Sequence, residues 1–370
     1  MDIEIYYEPR TKFNKRIQPI ENKIFFSRII RNWTKDITLE SIISNLDEDF
    51  EACVITLEDC SGINSHVFEN IDNIVSIFES YSNINTLIIN NPPKFFYDKL
   101  KQLEETIKEK NYSYPKINAT QIGKVNQGFD SNIIGQTLAK KAICRKLIAQ
   151  MIRPTKKPLV LMFYGNPGIG KTETAKYLSS ILYTKGSLLR EQMTMVGGDS
   201  SVRFFKSTSH SEDSFSKHLL NRTSNVILLD EFALAPPFFQ TTFFQMFDEG
   251  IYSDQNFTVD VSNSIIICTS NLQTIQDMEK NIDNALLSRF DGFIHFTDFT
   301  DEDKMEIIDK MICEFINPKN MKKRFIDKLD RTLIRQKIEK ALPQLTNVRN
   351  IRKYTEDVIA DTLMDDLLND

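Results

Sequence analysis

The sequence predicts an α/β protein in which a parallel-sheet domain built around a phosphate-binding loop is closed by a C-terminal helical lid and preceded by a small N-terminal α/β domain. Three observations carry this. Apolar runs too short to be helices alternate with helical patterns as far as residue 299. Beyond residue 300 the strand-like runs vanish and only helical patterns remain. Glycine is scarce, 12 in 370 residues, yet Gly165, Gly168 and Gly170 cluster between an apolar run and a helical pattern. A chain that avoids glycine and then concentrates it requires unusual backbone geometry at that point.

In chain order, residues 1–111 form the first unit, with strands expected at 3–7, 52–57 and 86–89 and helices near 39–45, 67–80 and 94–110. Alternation of this kind indicates a compact α/β unit with parallel strands. It contains neither a phosphate loop nor an acid–base pair, as expected of a partner-binding domain. Residues 112–130 mix Pro, Gly, Asn and Ser without periodicity, which reads as a linker. Residues 131–299 alternate strands and helices as one larger α/β domain. Residues 300–370 read as three helices, at 301–315, 319–342 and 347–368, divided near Pro318 and Pro343.

Composition removes several function classes. A net charge of −5 and a pI near 5.6 leave the whole chain without an electrostatic footprint for nucleic acid. Two stretches are locally basic: residues 10–35, with eight Lys/Arg against Glu21, and residues 319–340, with nine against three acids. Both suit solvated helix faces, and both keep a nucleic-acid or acidic partner open. Five scattered cysteines and four scattered histidines show no metal-ligand spacing. The N-terminus MDIEIYYEPR lacks the pattern of a signal peptide, and no stretch reaches 18 apolar residues, so a cytoplasmic protein is expected.

The glycine cluster belongs to Gly165-Asn166-Pro167-Gly168-Ile169-Gly170-Lys171-Thr172, a complete phosphate-loop pattern, followed by Glu173. The apolar run before it suits a strand buried on both faces, and Ala175, Leu178, Ile181 and Leu182 after it recur at helical spacing. Glycines let backbone N–H groups turn inward around phosphate oxygens, and the helix N-terminus adds positive potential. Lys171 then serves the β- and γ-phosphates of ATP, and Thr172 serves Mg2+. Val226-Ile227-Leu228-Leu229-Asp230-Glu231 is an apolar strand ending in two acids, which the carboxyl edge of a parallel sheet would set beside the same phosphates. Asp230 suits the Mg2+ shell and Glu231 suits a base acting on the attacking water. A third strand ends at Asn271, and the sequence Ala285-Leu286-Leu287-Ser288-Arg289-Phe290-Asp291 places Arg289 at a helix end.

Taken with Ile134-Gly135-Gln136 and Asn347-Val348-Arg349-Asn350-Ile351-Arg352, these motifs occur in the order of an AAA+ ATPase, and the set resembles the Clp-type unfoldase branch over about residues 132–368. The resemblance implies that Ile134 lines the adenine pocket. It further implies that Asn271 is the first sensor, Arg349 the second sensor on the lid, and Arg289 an arginine finger acting on a neighbouring subunit. A homo-oligomeric ring follows, most often a hexamer, with a protein client. Relatives of this branch grip polypeptide with a glycine-flanked aromatic loop, for which Phe204 and Phe205 stand in about the right place, with Gly197 and Gly198 before them. The span from Asn271 to Arg289 is too short for the inserted loop by which some relatives dock a protease barrel. The expected function is a ring-forming, Mg2+-dependent ATPase that remodels or threads a protein. The alternative is a nucleotide-gated assembly or nucleic-acid-handling subunit, supported by the two basic stretches; no membrane role is expected.

Overall fold

Two five-stranded sheets organise the chain, each parallel throughout. The computed structural model describes residues 1–31, 38–46, 50–103, 106–183, 186–195, 198–319 and 321–368. The first sheet comprises β1 (Asp2–Tyr7), β2 (Lys23–Phe25), β3 (Ala52–Ile55), β4 (Thr86–Asn90) and β5 (Ile107–Asn111), in the order β2-β3-β4-β1-β5. Residues 107–111, expected to continue a helix from 94, instead pair in parallel with β1. The helix stops at Leu100. The sequence IKEKN hides its strand character because it is an edge strand, exposed apart from Ile107, and edges are commonly charged.

The second sheet comprises β6 (Leu159–Tyr164), β7 (Leu189–Gln192), β8 (Val226–Asp230), β11 (Ile265–Ser270) and β12 (Gly292–His295), in the order β12-β6-β11-β8-β7. A hairpin of β9 (Ile251–Ser253) and β10 (Thr258–Asp260) lies between β8 and β11 in the chain. Because side chains alternate across a strand, Leu159, Leu161 and Phe163 of β6 enter one core while Val160 and Met162 enter the other. Both faces are covered, which is why these strands read as unbroken apolar runs.

The lid helices Asp301–Phe315, Arg331–Glu339 and Val348–Leu368 contribute Ile308, Ile312, Ile334, Ile338 and Ile351 to the first of those cores. A short helix, Lys323–Ile326, precedes Arg331–Glu339, where one continuous helix was expected. The break lies at Asp330, whose carboxylate caps the N–H groups of Thr332 and Leu333. Asp301–Phe315 opens with a capping box between Thr300 and Asp303.

The supposed linker is a further departure. Residues 119–132 form the helix Ala119–Asn132, opened by a capping box between Asn118 and Gln121. Ile122, Val125 and Phe129 bury in the same core as the lid, with Phe129 edge-on to Tyr177 at 5.7 Å. Its polar and glycine content masked an apolar stripe spaced by three and four residues.

Candidate active site

The site assembles at the carboxyl edge of the second sheet. After Tyr164 the chain turns at Gly165 (φ +130°), where a Cβ would stand 2.4 Å from the Phe296 carbonyl oxygen, so glycine alone fits. Gly170, at φ +105°, opens the helix Lys171–Leu182. Lys171 is buried and its Nζ donates to the carbonyls of Gly165 and Asn166, both at 2.7 Å, and to Asn271 Oδ1 at 3.1 Å. Burial, helped by the neighbouring Arg349 charge and opposed by Asp230 and Glu231, pushes its pKa down to about 8.

The two acids end β8. Asp230 accepts from the Thr269 hydroxyl, which itself accepts the Glu231 backbone N–H at 2.8 Å. Glu231 occupies the left-handed region at φ +58°, a conformation costing a non-glycine residue ~1–3 kcal/mol and found where surrounding contacts enforce it. Those contacts are specific: the Glu231 carboxylate accepts from Gln192 Nε2 and, at 3.4 Å, from Asn271 Nδ2. Asn271 therefore bridges Lys171 and Glu231 through the two ends of one amide.

The Thr172 hydroxyl lies 3.3 and 3.4 Å from the two carboxylate oxygens of Asp230, close enough for both groups to share one cation. The donor set fits Mg2+, which commonly takes one or two protein oxygens and fills its shell with phosphate and water. Among the described residues no cluster of three or more His, Cys, Asp or Glu suits a metal held by protein alone. Arg190 donates to Asp230 through Nε, at 3.0 Å, and through Nη2. It thus neutralises the carboxylate that a divalent cation would contact.

These groups open on a cavity of about 680 Å³. Ile133, Ile134, Phe299, Ile307 and Met311 line an apolar part suited to a base. Pro167, Gly168, Ile169, Gly170, Thr172 and Glu173 line the loop side, and Arg349 lines the lid side. The lid rests directly on the loop, since Val348 N–H donates to the Gly168 carbonyl at 3.0 Å. Asn166 is held by Asp298 at 2.8 Å and by Gln273 at 2.7 Å.

Two predicted sets lie elsewhere. Arg289 is not among the cavity-lining residues. It donates to the Ala285 carbonyl, sits 3.8 Å from Asp248 and 4.7 Å from the Phe244 ring centroid, and its buried Nε has no partner. Phe204 and Phe205 belong to the helix Asp199–Lys206 and not to the loop expected of a substrate pore. Phe205 is 4% exposed, with the rings of Phe215, Phe239 and Phe243 at 5.4, 6.0 and 5.8 Å. Phe204 is half-buried and edge-on to His218. Two neighbouring aromatics on a helix diverge by about 100°, so one is turned into the core. Gly198 precedes this helix; Gly197 lies outside the described residues. Phe205→Ala is expected to lower stability by ~3–5 kcal/mol in a denaturant titration, as for other buried Phe truncations. Unchanged stability with lost client handling would restore the pore assignment.

Two contacts at the site escaped the sequence reading, Arg190 and Gln192 on β7, and Gln136 was named there only as part of the Ile134-Gly135-Gln136 motif, without a role. Gln136 is buried, donating to the carbonyls of Thr297 at 2.8 Å and Ile169 at 3.3 Å while accepting from Thr297 N–H. The available signal for β7 was topological: Gln192 pairs in register with Asp230, and Arg190, two residues earlier, shares its face.

Residues 156–333 match the AAA domain (Cdc48 subfamily) family. The ATP-dependent Clp protease ATP-binding subunit ClpL of Staphylococcus aureus strain bovine RF122 / ET3-1 is 24% identical over 268 residues, covering 66% of this chain and 38% of that protein. ClpL of strain USA300 matches to the same extent. The chain thus spans well under half the length of these relatives. A closed-state cryoEM structure of Hsp104 with ATPγS and FITC-casein shares the fold, with a TM-score of 0.54, 14% identity and coverage of 99% of this chain and 88% of that one. With the phosphate loop, the paired acids and the lid already in place, the chain is similar over these residues to AAA domains and to the ATP-binding subunits of Clp type.

Proposed function

We propose that the protein is a Mg2+-dependent ATPase that works as a homo-oligomeric ring, most readily a hexamer, and couples hydrolysis to remodelling or threading a protein partner. The observation that carries this reading is a division of the catalytic set. Lys171, Thr172, Asp230, Glu231, Asn271 and Arg349 converge on one cleft, whereas Arg289 does not line it. In the ring, Arg289 would serve the transition-state charge in a neighbouring subunit's cleft, beside the Arg349 which that subunit supplies itself.

In this mechanism Lys171 holds the β- and γ-phosphates and Arg349 brings the lid onto them. Bound Mg2+ would supply charge neutralisation between those phosphates, with Thr172 and Asp230 holding it. Glu231, positioned by Gln192 and Asn271, accepts a proton from the attacking water. Arg190 orients the Asp230 carboxylate beside the Thr172 hydroxyl. Residues 1–111 would recruit the partner, 131–299 carry the nucleotide domain and 300–370 the lid. Residues 271–289 hold the helices Ile275–Asn281 and Asn284–Leu287, which supports a reading without a protease-docking insertion in that span. The basic lid stretch is partly committed internally, Arg335 pairing with Asp309 at 2.8 Å and Arg331 donating to the Ile316 carbonyl. This favours a protein client over nucleic acid.

Labelled unfolded casein serves as a model client. The Glu231→Gln protein should retain casein at ring size in size-exclusion chromatography with ATP and release it with ADP. A protein that stays monomeric with ATP, or binds casein equally with both nucleotides, contradicts the reading.

A further inference from the structure

β7 supplies a hydrogen bond to each acid of the site, yet it is an edge strand, paired among the described residues with β8 alone. Side chains alternate along it. Arg190 and Gln192 turn to one face and reach Asp230 and Glu231. Glu191, between them, turns to the other, where only 15% of its side chain is exposed. A carboxylate so enclosed needs a partner, and that partner also steadies a strand that has ladder bonds on one side only.

The partner is His218, on the helix Phe215–Asn221. Its Nδ1 lies 2.6 Å from Glu191 Oε1, and its Nε2 lies 3.0 Å from Asp213 Oδ2. An ionised carboxylate only accepts, so a carboxylate at each ring nitrogen requires an N–H at both, which the imidazolium has and the neutral ring lacks. The hydrogen bond to Glu191, with the charges of Glu191 and Asp213 behind it, holds the His218 pKa above its ordinary value against the opposing effect of burial. The helix itself is firmly seated: Phe215 and Leu219 are fully buried, and the Ser214 hydroxyl accepts the Lys217 N–H. The neighbouring charges are committed elsewhere. Lys217 Nζ donates to the carbonyls of His210 and Glu212, both at 2.6 Å. Arg203, on the helix whose Phe204 stands edge-on to the imidazole at 5.2 Å, pairs with Glu212.

We infer that His218 is a positioning residue for ATP hydrolysis: as an imidazolium bridging Glu191 and Asp213 it fixes β7, and through Gln192 it fixes the orientation of Glu231, so that turnover is fastest with the ring protonated. The inference rests on the ATPase reading proposed above. Loss of the proton leaves one N–H for two carboxylates, and β7 loses part of its anchor. Because the pKa is raised on folding, the anchor is complete below the ordinary histidine value of 6.5 and fades as pH rises through the folded value.

The test is kcat at saturating ATP, where the effect of Lys171 on affinity drops out, followed from about pH 6 to about pH 10 in the full chain. The unmodified protein should lose turnover along an alkaline limb. Asp213 is 70% exposed, so Asp213→Asn leaves the fold intact; it should move the limb to lower pH by about half a unit, the scale of an exposed ion pair. His218→Gln offers Glu191 a neutral donor; it should lower kcat at neutral pH about tenfold, the scale of a lost charge-assisted hydrogen bond, and abolish the limb. Should His218→Gln not fold, the shift in Asp213→Asn decides alone. A limb unmoved by Asp213→Asn, or one that persists in His218→Gln, overturns the inference and leaves the ATPase reading standing. An unmodified protein without ATPase activity at any pH overturns both.

Discussion

Glu231→Gln should bind ATP as the unmodified protein does and turn it over at least ~10²-fold more slowly, on the usual scale of general-base removal. The substitution is isosteric. An amide can retain one hydrogen bond of the Gln192–Glu231–Asn271 chain, so the backbone at φ +58° need not relax. What is lost is the capacity to accept a proton from water. Steady-state ATPase measured alongside nucleotide affinity separates the two effects. Unchanged turnover would mean that another group acts as base; lost affinity would mean that Glu231 holds the fold of the site and not its chemistry.

Lys171→Ala should weaken ATP binding at least about 100-fold, the consequence of removing two or more charge-assisted hydrogen bonds worth ~1.5–3 kcal/mol each. The perturbed pKa adds a signature that simple truncation does not. In the free protein, burial lowers the Lys171 pKa to about 8; bound phosphates favour the ammonium form and raise it again. Below pH 8 the lysine is already charged and affinity is flat. Above it, binding must first take up a proton, so the Kd for ATP should rise about tenfold between pH 7 and 9. The slope should disappear in Lys171→Ala. A pH-independent affinity in the unmodified protein would place the lysine away from the phosphates.

What the sequence reveals depends on where the stabilising interactions lie. β6 and β8 are legible because both faces are buried, so every residue of Leu159–Tyr164 is apolar or aromatic. The phosphate loop is legible because its glycines answer to local backbone geometry. β7 is not: Leu189–Gln192 is a mostly polar edge strand whose roles appear only when register sets Gln192 beside Asp230. Phe205 illustrates the reverse error. Its sequence neighbourhood suggested a loop, whereas its environment is set by Phe215, Phe239 and Phe243, each at least ten residues away in the chain. The helix Ala119–Asn132 was masked by glycines at 123 and 128, tolerated because tertiary packing outweighs their poor helix propensity.

If each ATP site is completed by two subunits, mixing two inactive variants should restore activity. Arg289→Ala alone should bind ATP without hydrolysing it, and so should Glu231→Gln. Mixed in equal amounts, they form interfaces in which an intact Glu231 faces an intact Arg289 from its neighbour. ATPase activity should reappear in the mixture and rise with the fraction of such interfaces. Two inactive variants that remain inactive at every mixing ratio, while still assembling together, would contradict it.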